Sequence, residues 1–455
     1  MHYTWTLRLC VALAFAVTSL VHGAEYRAAS GAVVITPEGP LWAGGYASRT
    51  KPVSEKVHDL HAKGLLLEDG QDRRFLLISL EVITLPAPFV DSVTKRISEA
   101  HGLTREQITL ICTHTHCGPP VHAIEDRTIY PIDDTQVAAL KRYSEVLEGK
   151  ILSLTAELME DLQPAHLAFG NGTAGFGVNR RNNKESEVGK PGFVAQGPVD
   201  HDVPVLRVTD PDGKLTAVAF GYACHATTVE LYQWSGDYPG FAQAALEASH
   251  PDATAIFVTG CGGDINPLPR RELRLAQEYG KSLADAVDDV LQTPMRPLTG
   301  PIRSQLERIS LDFDTLPTRE TLQADLKGDD VYHARRAKIL LEQLDKGIPI
   351  APNYPVPIQT LQIGDSLNAI FLGGEAVVDY SLRFKKELGK ESTWVATYAN
   401  DLCAYIPSER VLAEGGYEGG KAMVYQGRPA PWAPGLEEKI VNEVHRQLSS
   451  TVTTE

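Results

Sequence analysis

The tetrapeptide Thr113-His114-Thr115-His116 closes the apolar run Ile108 to Cys112. A short run rich in Ile and Leu that stops at polar residues reads as a buried strand. If the chain stays extended there, side chains alternate, and His114 and His116 project to the same side. Two imidazoles so placed can both meet a metal, or one can bind it while the other moves protons. One H-x-H is a weak signal alone, because paired surface histidines are common. Four more apolar runs end in the same way. Leu215 to Cys224 ends at His225. Thr254 to Thr259 ends in Gly260-Cys261-Gly262-Gly263-Asp264. Leu367 to Gly374 ends at Glu375. Thr393 to Ala399 ends in Asn400 and Asp401, with Tyr405 just beyond.

In α/β sheets, ligand sites form outside the carboxyl ends of strands. Five such endings carrying His, His, Asp, Glu and Tyr point to one shared site. His114, His225, Glu375 and Tyr405 make an N, N, O, O donor set that suits zinc, with metal–ligand distances of about 2.0–2.2 Å. An open position on such a metal activates water for hydrolysis. His116 then stands beside the metal as a proton carrier. Asp264 and Asp237 are read either as acceptors of loop amides or as groups that orient a ligand histidine. His58, His61, His122 and His201 are read as packing or surface histidines, and Glu125 and Asp126 as a solvated loop face.

The expected fold is α/β: one large domain with mixed sheets flanked by helices, and the site at strand carboxyl ends. Strands are expected at Ala32 to Ile35, Gly64 to Leu67, Phe75 to Val82, Ala165 to Phe169, Leu206 to Val208 and Ile302 to Phe313. Asp210-Pro211-Asp212-Gly213 between two apolar runs is a hairpin turn signal. Helical spacing marks Pro88 to His101, Asp133 to Leu162, Phe241 to Ser249, Arg271 to Leu291, Val377 to Leu388 and Leu436 to Leu448. Thr318 to Leu344 reads as one charged, solvent-facing helical stretch, and Gly170 to Gly197 as a long polar loop. The Pro-rich Ile348 to Pro357 is a candidate boundary, yet Glu375 and Tyr405 follow it, so the site draws on both sides.

Composition narrows the function classes. The chain has 455 residues and a formal net charge of −15, which excludes a basic nucleic-acid footprint. Arg8, the apolar stretch Leu9 to Val21 and the small residues Gly23 and Ala24 have the layout of a cleaved secretory signal, residues 1–23. The mature chain, residues 24–455, is expected to be secreted or periplasmic and without a transmembrane span. Five cysteines remain after cleavage: Cys112, Cys117, Cys224, Cys261 and Cys403. Their spacing is neither a disulfide framework nor C-x-x-C, so they read as small apolar filler.

Several short pieces, in order, resemble the neutral/alkaline (non-lysosomal) ceramidases. They are THTHCGP at 113–119, Asn179-Arg180, VPVLRV at 203–208, GYACHATT at 221–228 and SGDYPG at 235–240. GCGGDINP at 260–267, GGEAV at 373–377, YANDLCAYIPS at 398–408 and Tyr417-Glu418-Gly419-Gly420 complete the set. The resemblance implies a metal-dependent amidase that hydrolyses the N-acyl bond of a lipid-like or small-molecule substrate. It implies that His114, His225, Glu375 and Tyr405 hold zinc. It assigns His116, Arg180 and Tyr417 to proton transfer and substrate polarisation, and spacing alone finds neither Arg180 nor Tyr417. Three departures stand out. Asn266 occupies the place of a family Ser with a catalytic role, and an amide cannot serve as a hydroxyl nucleophile. Pro119-Pro120-Val121-His122 replaces a Gly-rich continuation. The family's C-terminal β-sandwich is not expected. Hydrolysis of an ester, lactone or carbohydrate-linked substrate is the alternative reaction, and a non-catalytic metal-containing binding protein is the alternative class.

Overall fold

The computed structural model describes residues 26–121 and 130–449. The signal segment, His122, Glu125 and Asp126 lie outside the described residues. Two sheets stack face to face, with helices on both outer faces, so the layers run helix, sheet, sheet, helix. The larger sheet runs in the order Thr254–Thr259, Leu215–Tyr222, Asp202–Thr209, Gln163–Thr173, Tyr26–Val34, His61–Asp69, Arg74–Leu80 and Ile108–Cys112. Its two outermost pairings are parallel and the pairings between them antiparallel. The smaller sheet runs Ile302–Asp312, Asn353–Ile363, Leu367–Leu372 and Thr393–Ala396, its last pairing parallel. This is the expected mixed α/β architecture.

The apolar runs are near-continuous because most of these strands are covered on both faces. In His61–Asp69, Leu65 and Leu67 point between the sheets, while Ala62 and Leu66 point toward the helices. Phe75 and Leu77 alternate with Leu76, Ile78 and Leu80 in the same manner. In the smaller sheet, Leu367, Ala369 and Phe371 meet the larger sheet, and Ile370 and Leu372 meet the outer helices. A one-residue slip would exchange every one of these faces, so register is strongly specified.

Helices Ala87–His101 and Asp134–Glu160 cover one half of the larger sheet's outer face, and Asp237–Ser249 and Leu273–Leu291 the other half. Val378–Leu388 and Leu436–Ser449 cover the smaller sheet. Local chemistry sets the ends. Asp133 accepts from the Gln136 amide at 2.8 Å, and Gly102 (φ 72°) ends its helix in the left-handed conformation. Asp210 Oδ1 accepts from Asp212 and Lys214 amides at 3.0 and 2.9 Å, fixing the hairpin turn. No helix among the described residues is long and apolar enough to cross a membrane.

Two expectations fail locally. The charged stretch Thr318 to Leu344 is two helices, Arg319–Lys327 and Val331–Asp345. Gly328 stops the first, and the Asp330 carboxylate caps the second through the Tyr332 and His333 amides. Leu322, Ala337, Leu340 and Leu341 bury a small core between them, so the pair is not wholly solvent-facing. The polar loop from Gly170 holds the end of one strand and a short strand, Gly177–Asn179, paired with Ile265–Pro267. Its few residues are too short to show a period.

Short carboxyl-end segments bind the two sheets together. Tyr398 N donates to Gly374 O at 2.9 Å, Asn400 N to Leu110 O at 2.7 Å, and Thr397 N to Thr259 O at 3.0 Å. Gly374 sits at φ 76°, and a Cβ there would lie 2.6 Å from the Ala404 carbonyl oxygen. Gly374→Ala should therefore lose at least about 1–3 kcal/mol of stability. Urea unfolding checks it, and an unchanged midpoint would contradict this account of the crossover.

Candidate functional site

At this crossover, His114, His225, Glu375 and Tyr405 converge from four chain segments. His114 follows the strand Ile108–Cys112, and His225 follows Leu215–Tyr222. Glu375 and Tyr405 sit opposite each other in a two-residue parallel pairing just past the smaller sheet. All four are at least 95% buried.

Hydrogen bonds settle the tautomers of both imidazoles. His114 Nδ1 lies 2.7 Å from Ile83 O, and His225 Nδ1 lies 2.5 Å from Gly262 O. A carbonyl only accepts, so each Nδ1 carries a proton and each Nε2 presents a lone pair. Burial, which opposes a charged ring, lowers the His114 pKa to about 4, with Glu375 working against the shift. It lowers His225 to about 3, helped by Arg180. Both rings are thus neutral at pH 7. His225 Nε2 lies 3.1 Å from Glu375 Oε2 and 3.2 Å from the Tyr405 hydroxyl, and His114 Nε2 lies 3.4 Å from Glu375 Oε2. Burial raises the pKa of Glu375 and of Tyr405.

These distances, 3.1–3.4 Å, are within about 0.2 Å of the spacings of donors that share an ion. For tetrahedral bonds of about 2.0–2.2 Å, adjacent donors stand about 3.3–3.6 Å apart. Two neutral lone pairs facing a buried carboxylate is unfavourable without a cation or proton between them. The residues therefore fit a divalent metal. His116 joins the edge of the cluster: its Nε2 is 3.2 Å from His114 Nε2, and ring nitrogens of His114, His116 and His225 all lie within 4.8 Å of one another. His116 is half-buried, its Nδ1 has no partner among the described residues, and the edge of Tyr46 packs on its ring at 4.9 Å. Burial, then neighbouring His114, pushes its pKa well down.

The two histidines do not meet by strand alternation. His114 has φ 57°, outside the extended region, and the chain turns at once, with Gly118 N bonded to Thr115 O at 3.1 Å. The turn, not an extended period of two, brings the rings together. His114 is held in this conformation by stacking on Tyr398, itself at φ 63°, with ring centroids 4.6 Å apart. Left-handed backbone in bulky residues is uncommon and clusters at functional sites.

Arg180 flanks the cluster. Its Nε donates to Glu418 Oε1 at 2.7 Å, Nη2 to the Tyr405 hydroxyl at 3.1 Å, and Nη1 to Asn266 Oδ1 at 3.3 Å. Burial works against its charge, but Tyr405 and Glu418 hold its pKa well above the usual value. Tyr417 packs its ring under the same guanidinium at 5.5 Å and against Tyr405 at 5.4 Å, and is 44% exposed. All eight residues singled out in the sequence are thus brought into one constellation.

Other expectations change. Among the described residues the Asp264 carboxylate bonds no histidine; it accepts from Asn179 Nδ2 and from Val378 N, both at 2.9 Å. It ties the Arg180 strand to the helix after Glu375. Asp237 accepts from the Val229 and Tyr238 amides. Asn400 and Asp401 face away: Asn400 bonds Gln359 and Arg105, and Asp401 bonds Tyr354 and the Ala87 amide. His58 and His201 bond backbone at Gly236 and Gly177. The five cysteines are free and buried. Sequence reasoning passed over Glu418, Thr227, Tyr46 and Tyr398. Glu418, Thr227 and Tyr398 each lay inside a matched motif, which was the available signal, whereas Tyr46 lay in none.

No family model matches this chain, and no curated protein matches it. Its fold is similar to those of several solved structures, two of which follow. One is a ceramidase complexed with C2, with a TM-score of 0.72 at 16% identity, covering 93% of this chain and 74% of that one. The other is neutral ceramidase from Pseudomonas aeruginosa, with a TM-score of 0.71 at 18% identity and the same two coverages. At such identities the likeness establishes the fold.

Glu418 is 4% exposed and serves both Arg180 and Arg181, the latter at 2.7 Å. Glu418→Gln should cost about 1.5–3 kcal/mol, the range for hydrogen bonds to charged groups. A denaturation midpoint within error of the parent would show that the pair does not hold this wall.

Proposed function

We propose that this chain is an exported, zinc-dependent hydrolase of acyl C–N bonds, acting on ceramide-like N-acyl substrates as a member of the neutral ceramidase family. One observation carries the reading. Two neutral imidazole lone pairs, a buried carboxylate and a phenol face one point at tetrahedral spacing, beside a cation aimed at the phenol. The ceramidase titles of the structural neighbours support the choice of an amide bond.

In this reading His114, His225, Glu375 and Tyr405 hold the ion. Zinc, when bound, supplies a Lewis acid and activates water near neutral pH. The protein's own groups do the rest. Ile83 and Gly262 carbonyls keep both Nε2 lone pairs aimed inward. Arg180 donates to the Tyr405 hydroxyl and counters the negative charge that Glu375 places in the site. His116, touching the cluster through Nε2, accepts a proton from the attacking water and returns it to the leaving nitrogen. Tyr417, half-exposed beside Arg180, hydrogen-bonds and packs on the arriving substrate. Asn266 cannot form an acyl-enzyme, so water is the nucleophile.

Elemental analysis of the purified protein should find one zinc per chain, and His225→Ala should lose it. Equal zinc in both would sink the assignment of His225. His116→Ala should keep the zinc yet lose about 10²–10⁴-fold in turnover of a short-chain N-acyl sphingosine. Loss of the metal would instead make His116 a ligand.

A further inference from the structure

The Asn266 side chain is oriented by donors on one side only. Arg180 Nη1 lies 3.3 Å and Thr227 Oγ1 3.4 Å from its Oδ1. A guanidinium can only donate, so the atom facing it is the amide oxygen and not the nitrogen. The NH2 group is therefore turned away from Arg180. Among the described residues, that Nδ2 makes no hydrogen bond, and it is not among the sealed polar atoms that lack partners. Asn266 as a whole is 4% exposed. Its oxygen is held by the same guanidinium that donates to the Tyr405 hydroxyl.

Its backbone is as fixed as its side chain. Asn266 lies in the short strand Ile265–Pro267, opposite Val178, and Arg180 N bonds Asp264 O at 2.9 Å. The two strands that present Asn266 and Arg180 are thus zipped to each other. Thr227 comes from the segment that carries His225 two residues earlier, and His225 N bonds Ile265 O at 3.0 Å. The two bonds on Oδ1 and the strand position together leave a neutral N–H donor fixed on the strand that borders the His225 and Arg180 segments.

We propose that Asn266 is a catalytic residue that donates an Nδ2 hydrogen bond to the acyl oxygen of the substrate, strongest when that oxygen bears charge. The inference rests on the amide-hydrolase reading above. In the reaction, water oxygen bonds to the acyl carbon and the carbonyl π pair moves onto oxygen, where Nδ2–H meets it. Collapse re-forms the C=O bond and breaks the C–N bond. Both water protons end on the leaving nitrogen, giving a carboxylate and an ammonium. A fixed neutral donor suits this role because it costs no reorganisation as charge develops. The same donor recognises any planar acyl group, so it selects for the carbonyl and leaves the chain length to other walls.

Steady-state kinetics on a short-chain N-acyl sphingosine and an N-acyl amino acid, with zinc content measured on each protein, test this. Asn266→Ala should lower kcat by about 10²–10³-fold, the effect of removing one such donor, while KM and zinc content hold. Asn266→Asp keeps an oxygen for Arg180 and Thr227 but turns the second oxygen, an acceptor, toward the acyl group. It should be at least as impaired. Near-parental turnover by Asn266→Asp would show that the residue only steadies Arg180, and would overturn the inference. So would a kcat loss below about threefold in Asn266→Ala, a loss confined to KM, or a loss of zinc. No turnover of either amide by the parent protein would overturn the amide-hydrolase reading as well. Turnover by the parent with Asn266→Ala undiminished would overturn this inference alone.

Discussion

Glu375 places a carboxylate, 2% exposed, against two imidazoles whose protons are committed to carbonyls. Taking such a charge out of water costs several kcal/mol even after relaxation. Within the four converging residues only the Tyr405 hydroxyl repays part of that cost, by its hydrogen bond to the carboxylate, because the facing imidazole nitrogens are lone pairs. Arg180 offsets part of it through Tyr405, at one remove from the carboxylate. The rest of the arrangement follows from holding these groups together against their mutual repulsion. That is a task for backbone, and backbone performs it.

The crossover at residues 397–401 is where the two sheets are joined. Cys112 bonds Tyr398, Leu110 bonds Asn400, Thr259 bonds Thr397, and Gly374 bonds Tyr398. The segments before His114, before Glu375 and before the glycine loop at 260–264 are thus tied to one stretch of chain. Buried side chains continue the tie. Asn400 and Gln359 bond each other and the peptides around Ile108, and Asp401 anchors the helix start at Ala87. Left-handed φ values at His114, Tyr398 and Asn400 fall within this same small region. Strain there persists because the surrounding sheets over-determine it.

Electrostatics in the site is graded by distance from that centre. The imidazoles are kept neutral by burial. Arg180 is kept charged by Glu418, which in turn is shared with Arg181. One guanidinium therefore links Tyr405, Asn266 and Glu418 in a single planar fork, and a lysine could not make all three bonds at once. The five thiols nearby are buried and unpaired, and burial raises the pKa of each, so they serve as packing.

The sequence by itself determined the layers and the location of the site. Long Val, Ile and Leu runs that alternate with amphipathic helices can be buried on both faces only in a layered α/β fold. The polar residues His114, His225 and Glu375 that end three of those runs had to lie together at strand carboxyl ends. Only the tertiary structure decided which ends mattered and how they meet. Asp264, Asn400 and Asp401 end similar runs, yet they cap amides and steady loops, because their partners come from more than forty residues away. The approach of His116 to His114 depends on a turn that no period-two pattern encodes. Arg180 reaches the site through a three-residue strand whose pairing is specified by its partner and not by its own composition. The free face of Asn266 exists only because Arg180 and Thr227, far apart in the chain, both claim its oxygen. Local pattern sets what is buried, whereas the direction of a buried polar atom is set by distant partners.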